Sequence, residues 1–290
     1  MPVAEEHVDH WFKHGYAIVP SLFDRATLDA ALDEANRYFP TWAEFAANRP
    51  RYEHLVGQFS MRNFPFEGSA LNLLAVHPDL ADFVERITGI ERLFMTQAAL
   101  WCKYPAGVDY DQALHADYLN NTLLWPRTDG PYQQIPMICY LEDTSVELGA
   151  TRVLSKEYDD LSSGLGFRER ADHPDLYEHE TAIVVPAGSV FLHSMRTLHR
   201  GAAMTATEGR RISLHMVYRA AGNEFMGWQA FPQSGPLPAM GEFMAAATPK
   251  QRSMIGIPLP GDPYWTEETV ARVGERYPGM DMAPYAPALG

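Results

Sequence analysis

The sequence predicts a mainly β protein, with a jelly-roll or barrel core under helical cover. Strand-like runs recur between about residues 92 and 221, separated by turn residues. Helical patterns lie mostly outside that block. The run from Arg211 to Ala220 alternates, with Ile212, Leu214, Met216 and Tyr218 on one face and Arg211, Ser213, His215 and Val217 on the other. Without repeats, a low-complexity tract or a linker, the 290 residues read as one domain. It comprises a mainly helical region (1–91), the jelly-roll core (92–221) and a C-terminal extension (222–290).

Each element has its own signal. His7 to His14 carries Val8, Trp11 and Phe12 on one side of a helix that Gly15 ends. Tyr16 to Pro20 is a short strand. Asp24 caps a helix running to about Tyr38, with Leu28, Leu32 and Ala35 on one stripe, and Pro40 breaks it. Residues 41–66 carry no clear period. A further helix starts at His77-Pro78 and ends near Gly89. Leu93 to Tyr104 is a long apolar strand. Gln133 to Leu141 is another, and Pro136 marks it as an edge or a bulge. Gly149 to Leu154 is short. Thr181 to His193 holds the run Ala182 to Val185, a Pro186-Ala187-Gly188 turn, and the run Ser189 to Leu192. The tail beyond 222 is rich in Pro, Gly and Met, with short helices near 238–246 and 265–275 that would cover the barrel or a neighbouring subunit.

A formal charge of −14 argues against nucleic acid or an anionic membrane as the main partner. No apolar run approaches the roughly 18 residues of a membrane span. Cys102 and Cys139 lie inside apolar strand runs and read as buried thiols of a reducing, cytoplasmic compartment. Oligomeric state is left open.

The chemistry is carried by Leu114-His115-Ala116-Asp117. In a strand, residues two apart point to one face, so His115 and Asp117 can reach one metal. His-x-Asp also occurs at His7/Asp9, His77/Asp79 and His173/Asp175. Two of those have Pro at a helix start with an acid in the first turn, and His7 and Asp9 lie on a helix, where i and i+2 diverge. His199, in Leu198-His199-Arg200-Gly201-Ala202, is the best third ligand, with small residues after it as a crowded site needs. Two imidazoles and one carboxylate leave three metal positions open, the facial triad of non-haem Fe(II) oxygenases.

Taken in order, these pieces resemble the phytanoyl-CoA dioxygenase family of Fe(II)- and 2-oxoglutarate-dependent oxygenases. They are Gly15 to Val19, Leu100 to Pro105, Leu114 to Asp117, Tyr140 to Asp143, Gly149 to Val153, Gly188 to His193, Leu198 to Gly201 and Arg210 to His215. The resemblance spans roughly residues 10–220. It implies a double-stranded β-helix, the cupin-like form of the jelly roll, with Fe(II) held by His115, Asp117 and His199. It further implies 2-oxoglutarate and O2 as cosubstrates, with ascorbate assisting in vitro, and an arginine eleven or twelve positions beyond the distal histidine to bind the far carboxylate of 2-oxoglutarate. Arg210 and Arg211 both satisfy that spacing; alternation favours Arg211, which shares a face with Ser213. Cosubstrate would be cleaved to succinate and CO2 while a substrate hydrogen is removed and hydroxyl usually returned. A carboxylate at Asp117, where related halogenases have a small residue, favours hydroxylation, desaturation or ring formation.

Other residues carry weaker signals. His193 is the rival third ligand, and His215 reads as a hydrogen-bonded wall residue. Lys103 shares parity with Gln97, Ala99 and Trp101, and so faces either the pocket or solvent. Asn120, Asn121 and Thr122 would bind substrate or form a turn. Trp101 and Trp228 read as core, and Gln58, Met61 and Arg62 as a covering loop. Glu142, Asp143 and Glu147 read as a solvated turn. The competing functions are a cupin-like metal-dependent isomerase or hydrolase that needs no 2-oxoglutarate, and a non-catalytic barrel that only binds.

Overall fold

The computed structural model describes residues 3–56, 60–105, 109, 111–117, 130–161, 167–222 and 231–286. Asn120, Asn121, Thr122, Trp228 and Gln58 lie outside them. Nine strands are named: β1 (Tyr16–Val19), β2 (Ser60–Asn63), β3 (Leu93–Lys103), β4 (Gln134–Tyr140), β5 (Arg152–Val153), β6 (Thr181–Ala182), β7 (Val190–His193), β8 (His199–Arg200) and β9 (Arg211–Ala220). They form a six-stranded sheet in the order β1-β7-β4-β9-β3-β2 and a three-stranded sheet in the order β6-β5-β8. All pairs are antiparallel, and the two sheets make the expected jelly roll. The smaller sheet continues through single bridges from His199 to His115 and from Leu114 to Arg168.

Strand alternation sorts side chains into three apolar layers. Ile212, Leu214, Met216 and Tyr218 face outward from the large sheet. They join one core with Leu28 and Ala31 of the helix Arg25–Ala35, Leu80 and Val84 of Pro78–Thr88, and Phe243 of Pro238–Ala246. The C-terminal extension therefore covers the outside of the large sheet, through Met254, Trp265 and Tyr285 as well. Leu114, Leu154 and Leu198 face outward from the small sheet, against Leu176 and Tyr177 of the helix Pro174–Glu178. Between the sheets, Tyr16, Ile138, Tyr140, Val153, Ile183 and Phe191 plug one part of the interior. The polar site occupies the rest.

The start signals act as read. Asp24 accepts from the Thr27 amide, and the His77 ring caps the helix that Pro78 opens. Four details differ from the sequence expectation. Pro136 is at no bulge, and β4 is an inner strand, but the proline sits where β4 is paired on one side only: β4 pairs with β9 over Gln134–Tyr140 and with β7 only over Met137–Cys139. The irregularity is in β3, between Met95 and Gln97. The run Ala182 to Val185 is strand only through Ala182, because Ile183 bonds Thr151, Val185 bonds Thr144, and Val184 turns out to solvent. Phe12 does not join Val8 and Trp11 in the core; it is exposed. Cys102 and Cys139 are buried free thiols, and burial raises both pKa values.

Candidate metal centre

The site begins with a cross-strand pair. The His115 amide donates to the His199 carbonyl at 3.0 Å and the His199 amide donates back at 2.9 Å. Residues opposed in this way point side chains to the same face of an antiparallel pair. Their ring centroids are 4.8 Å apart. Asp117, two residues beyond His115, reaches that face, and its Oδ1 lies 3.6 Å from His199 Nε2. One donor atom from each of His115, Asp117 and His199 lies within 4.8 Å of the others.

Backbone carbonyls fix the two rings. His115 Nδ1 is 2.9 Å from the Ala113 carbonyl and His199 Nδ1 is 3.1 Å from the Thr197 carbonyl. A carbonyl only accepts, so each Nδ1 carries the proton and each Nε2 keeps a lone pair for the site. Burial lowers both pKa values, and His199 falls to about 4. Burial opposes ionisation of Asp117, but His199 and the other imidazoles around it outweigh that, and its pKa is lowered overall. Neutral imidazoles and an ionised carboxylate are the donor states that bind a metal, so these residues fit a divalent cation.

The pair is clamped from behind. Gln112 Oε1 accepts from the Gly201 amide at 2.7 Å, and a Cβ on Gly201 would come within 2.9 Å of that oxygen. A side chain at residue 201 would have to displace the Gln112 carboxamide. Arg200 makes a two-pronged pair with Glu180 at 2.7 and 2.6 Å. Asp111 accepts from the Ala203 amide, and Asp109 from the Met204 amide, each at 2.6 Å. Sequence reading missed Asp109, Asp111 and Gln112. Their only signal was a polar run just before the histidine motif.

The other candidates separate by strand parity. Arg210 points away from the site and spends all its N–H groups on Glu142, Asn36 and the carbonyls of Phe39 and Pro40. No N–H of Arg210 is left over for a ligand in the interior. Glu142, expected in a solvated turn, is its ion-pair partner at 2.6 Å, and Asp143 accepts from the Ala187 amide. Arg211 is buried on the inner face of β9 with Ser213 and His215, and its charge acts on Lys103, Tyr140 and His215. Ser213 Oγ is 3.0 Å from His215 Nε2, and His215 stacks on Trp101 at 5.1 Å, so Trp101 lines the interior. Lys103 lies opposite Arg211 and forms a buried ion pair with Asp109; burial lowers its pKa, against the pull of Asp109. His193 is buried with its ring 4.2 Å from His199 and its Nε2 3.9 Å from Asp117 Oδ2, beside the three-residue group but outside it.

The sequence profile described as phytanoyl-CoA dioxygenase (PhyH) matches residues 11–212. Curated proteins include no match by sequence. Among solved structures, the chain resembles the non-heme alpha ketoglutarate dependent epimerase SnoN from nogalamycin biosynthesis at 20% identity and a TM-score of 0.57, covering 75% of this chain and 83% of that one. The alpha ketoglutarate dependent carbocyclase SnoK from the same biosynthesis gives 20% identity and 0.57, covering 76% and 85%. HygX from Streptomyces hygroscopicus, solved with nickel and 2-oxoglutarate bound, gives 16% and 0.56, covering 79% and 91%. At these identities the likeness is one of fold.

Proposed function

Because this chain belongs to the phytanoyl-CoA dioxygenase family, we propose that it is a non-haem Fe(II)- and 2-oxoglutarate-dependent oxygenase acting on a small organic substrate. The observation that carries this reading is the convergence of His115, Asp117 and His199 within 4.8 Å on one inner face of the jelly roll. Fe(II), held by those three side chains, would supply the oxidative chemistry with O2 and 2-oxoglutarate, yielding succinate and CO2. The iron and 2-oxoglutarate ligands of the structural neighbours support it.

The chain's own residues position and shield. His115 and His199 present Nε2 because their Nδ1 protons are tied to backbone carbonyls. Asp117 contributes negative charge, balancing part of the metal's. Arg211 offers a two-pronged donor to the far carboxylate of 2-oxoglutarate, with Ser213 beside it on the same strand face. Lys103, opposite Arg211, has its charge balanced by Asp109 and forms part of the wall at that end. The plug formed by Tyr16, Ile138 and Phe191 excludes water from the closed part of the interior. Hydroxylation is the primary outcome. Epimerisation and ring closure by proteins of the same fold make hydrogen removal without oxygen insertion the alternative.

Anaerobic calorimetry tests this directly. With Fe(II) present, 2-oxoglutarate should bind the wild type, and oxygen should then release succinate slowly without substrate. Wild-type protein that takes up metal but binds no 2-oxoglutarate would fit the isomerase or hydrolase instead and sink the oxygenase reading.

A further inference from the structure

On the inner face of each sheet, side chains become more exposed strand by strand toward one flank. Across the small sheet the row runs Val153, His199, His115, Phe167, from 0% exposure at Val153 to 57% at Phe167. Across the large sheet the row Tyr140, Ser213, Trp101, Met61 runs from 1% to 43%. Strands joined in sequence face each other across the two sheets: β3 leads to the His115 strand, β4 to β5, β6 to β7 and β8 to β9. Both rows therefore end on the same flank, each on a large exposed apolar side chain.

Phe167 is firmly placed. The next residue, Arg168, donates its amide to the Leu114 carbonyl at 2.8 Å, and its own carbonyl accepts from the Tyr177 hydroxyl at 2.6 Å. Its guanidinium pairs with Asp159 at 2.7 Å. That bridge sets residue 167 opposite residue 115, and the rings of Phe167 and His115 lie 5.9 Å apart. A fixed phenyl ring beside a metal ligand, with more than half its surface open, is apolar area awaiting a contact. Two charged groups of the interior, Lys103 and Arg211, lie at a different level of the large sheet from Met61, two residues along from the Trp101–Ser213 pair.

We propose, resting on the oxygenase reading above, that this flank is the substrate entrance and that Phe167 selects substrates by packing on a planar apolar part of them. Met61 supplies the facing wall. The substrate class is then a neutral, ring-bearing organic molecule rather than a sugar or a polyanion.

The test uses the full-length protein loaded with Mn(II) and 2-oxoglutarate. Indole serves as the planar apolar probe and glucose as the polar control. Mn(II) at the site speeds relaxation of protons held near it, which NMR reads. Indole protons should relax faster in the wild type, and glucose protons should not. Phe167→Ala should weaken indole about tenfold, the loss expected for removing one aromatic contact face, and Phe167→Tyr should bind indole like the wild type. Mn(II) affinity, 2-oxoglutarate affinity and the thermal midpoint should match across all three proteins, because the ring is exposed. Indole bound equally by Phe167→Ala, indole bound without Mn(II)-enhanced relaxation, or glucose relaxed as strongly would each overturn the proposal. Failure of the wild type to bind Mn(II) or 2-oxoglutarate, measured before any probe is added, would instead overturn the oxygenase reading and this proposal with it.

Discussion

Between Arg210 and Arg211 the backbone of β9 sends one guanidinium outward and the next inward. Arg210 is buried with all its N–H groups engaged, so Arg210→Ala leaves Glu142 without its ion-pair partner and takes one donor each from Asn36 and the carbonyls of Phe39 and Pro40, the last still held by the Tyr104 hydroxyl. It should cost about 3 kcal/mol in denaturant unfolding while the surviving folded protein still binds 2-oxoglutarate. Arg211→Ala should do the reverse, weakening 2-oxoglutarate by roughly a hundredfold, or about 3 kcal/mol, by calorimetry with little change in metal affinity. Equal effects of the two changes on 2-oxoglutarate would refute the division of roles. Histidine protonation adds a pH dependence. Burial lowers His193, His199 and His215, so below the ordinary value of about 6.5 the unfolded chain takes up protons that the folded chain refuses. Metal-free protein should therefore lose stability as pH falls from about 6.5 toward the value of about 4 at which His199 titrates. Thermal melts across that range check the sign: a midpoint that rises on acidification contradicts it.

At the scale of elements, the ligand pair depends on how β8 and the His115 strand are pinned. Gly149 adopts φ +70°, and a Cβ there would come within 2.7 Å of the Ala202 carbonyl, three residues beyond His199. A backbone atom cannot swing aside as a side chain can. Gly149→Ala should therefore destabilise by about 2 kcal/mol or more, combining left-handed strain with displacement of the segment after β8. It should also weaken metal binding, although residue 149 touches no ligand. Unchanged metal affinity in a destabilised Gly149→Ala protein would show that the segment after β8 moves independently of His199. A helix shows the same dependence on a distant group. Glu34 accepts from the amides of Ser69, Ala70 and Leu71, capping the start of the helix Ala70–Leu74. Periodicity revealed the helix that carries Glu34 but not the N-terminus it serves. Residues 41–66 were equally unreadable because their short helices and the edge strand β2 owe their stability to packing rather than period.

For the whole molecule, the proposed metal centre joins segments that are far apart in the chain, so ligand binding should report on global folding. Adding Mn(II) and then 2-oxoglutarate should raise the thermal midpoint in two steps, each following the logarithm of ligand over its dissociation constant. His115→Ala should abolish the first step, and the second with it, whereas Arg211→Ala should abolish only the second. A His115→Ala protein stabilised by Mn(II) as the wild type is would remove residue 115 from the centre.

The jelly-roll class, the starts of the main helices, the His115/Asp117 motif with His199, and the family were legible in the chain before any coordinates. The class, the helix starts and the His115/Asp117 motif are carried by short-range signals: alternation, caps, and residues two apart on one strand face; His199 and the family rest on the order of motifs along roughly residues 10–220. Folding settled what depends on partners distant in the chain. It paired His115 with His199 through two backbone hydrogen bonds, assigned Glu142 to Arg210, and set Phe167 beside His115. Spacing limits which side chains share a face, but only the packing of one sheet against another determines which of them meet.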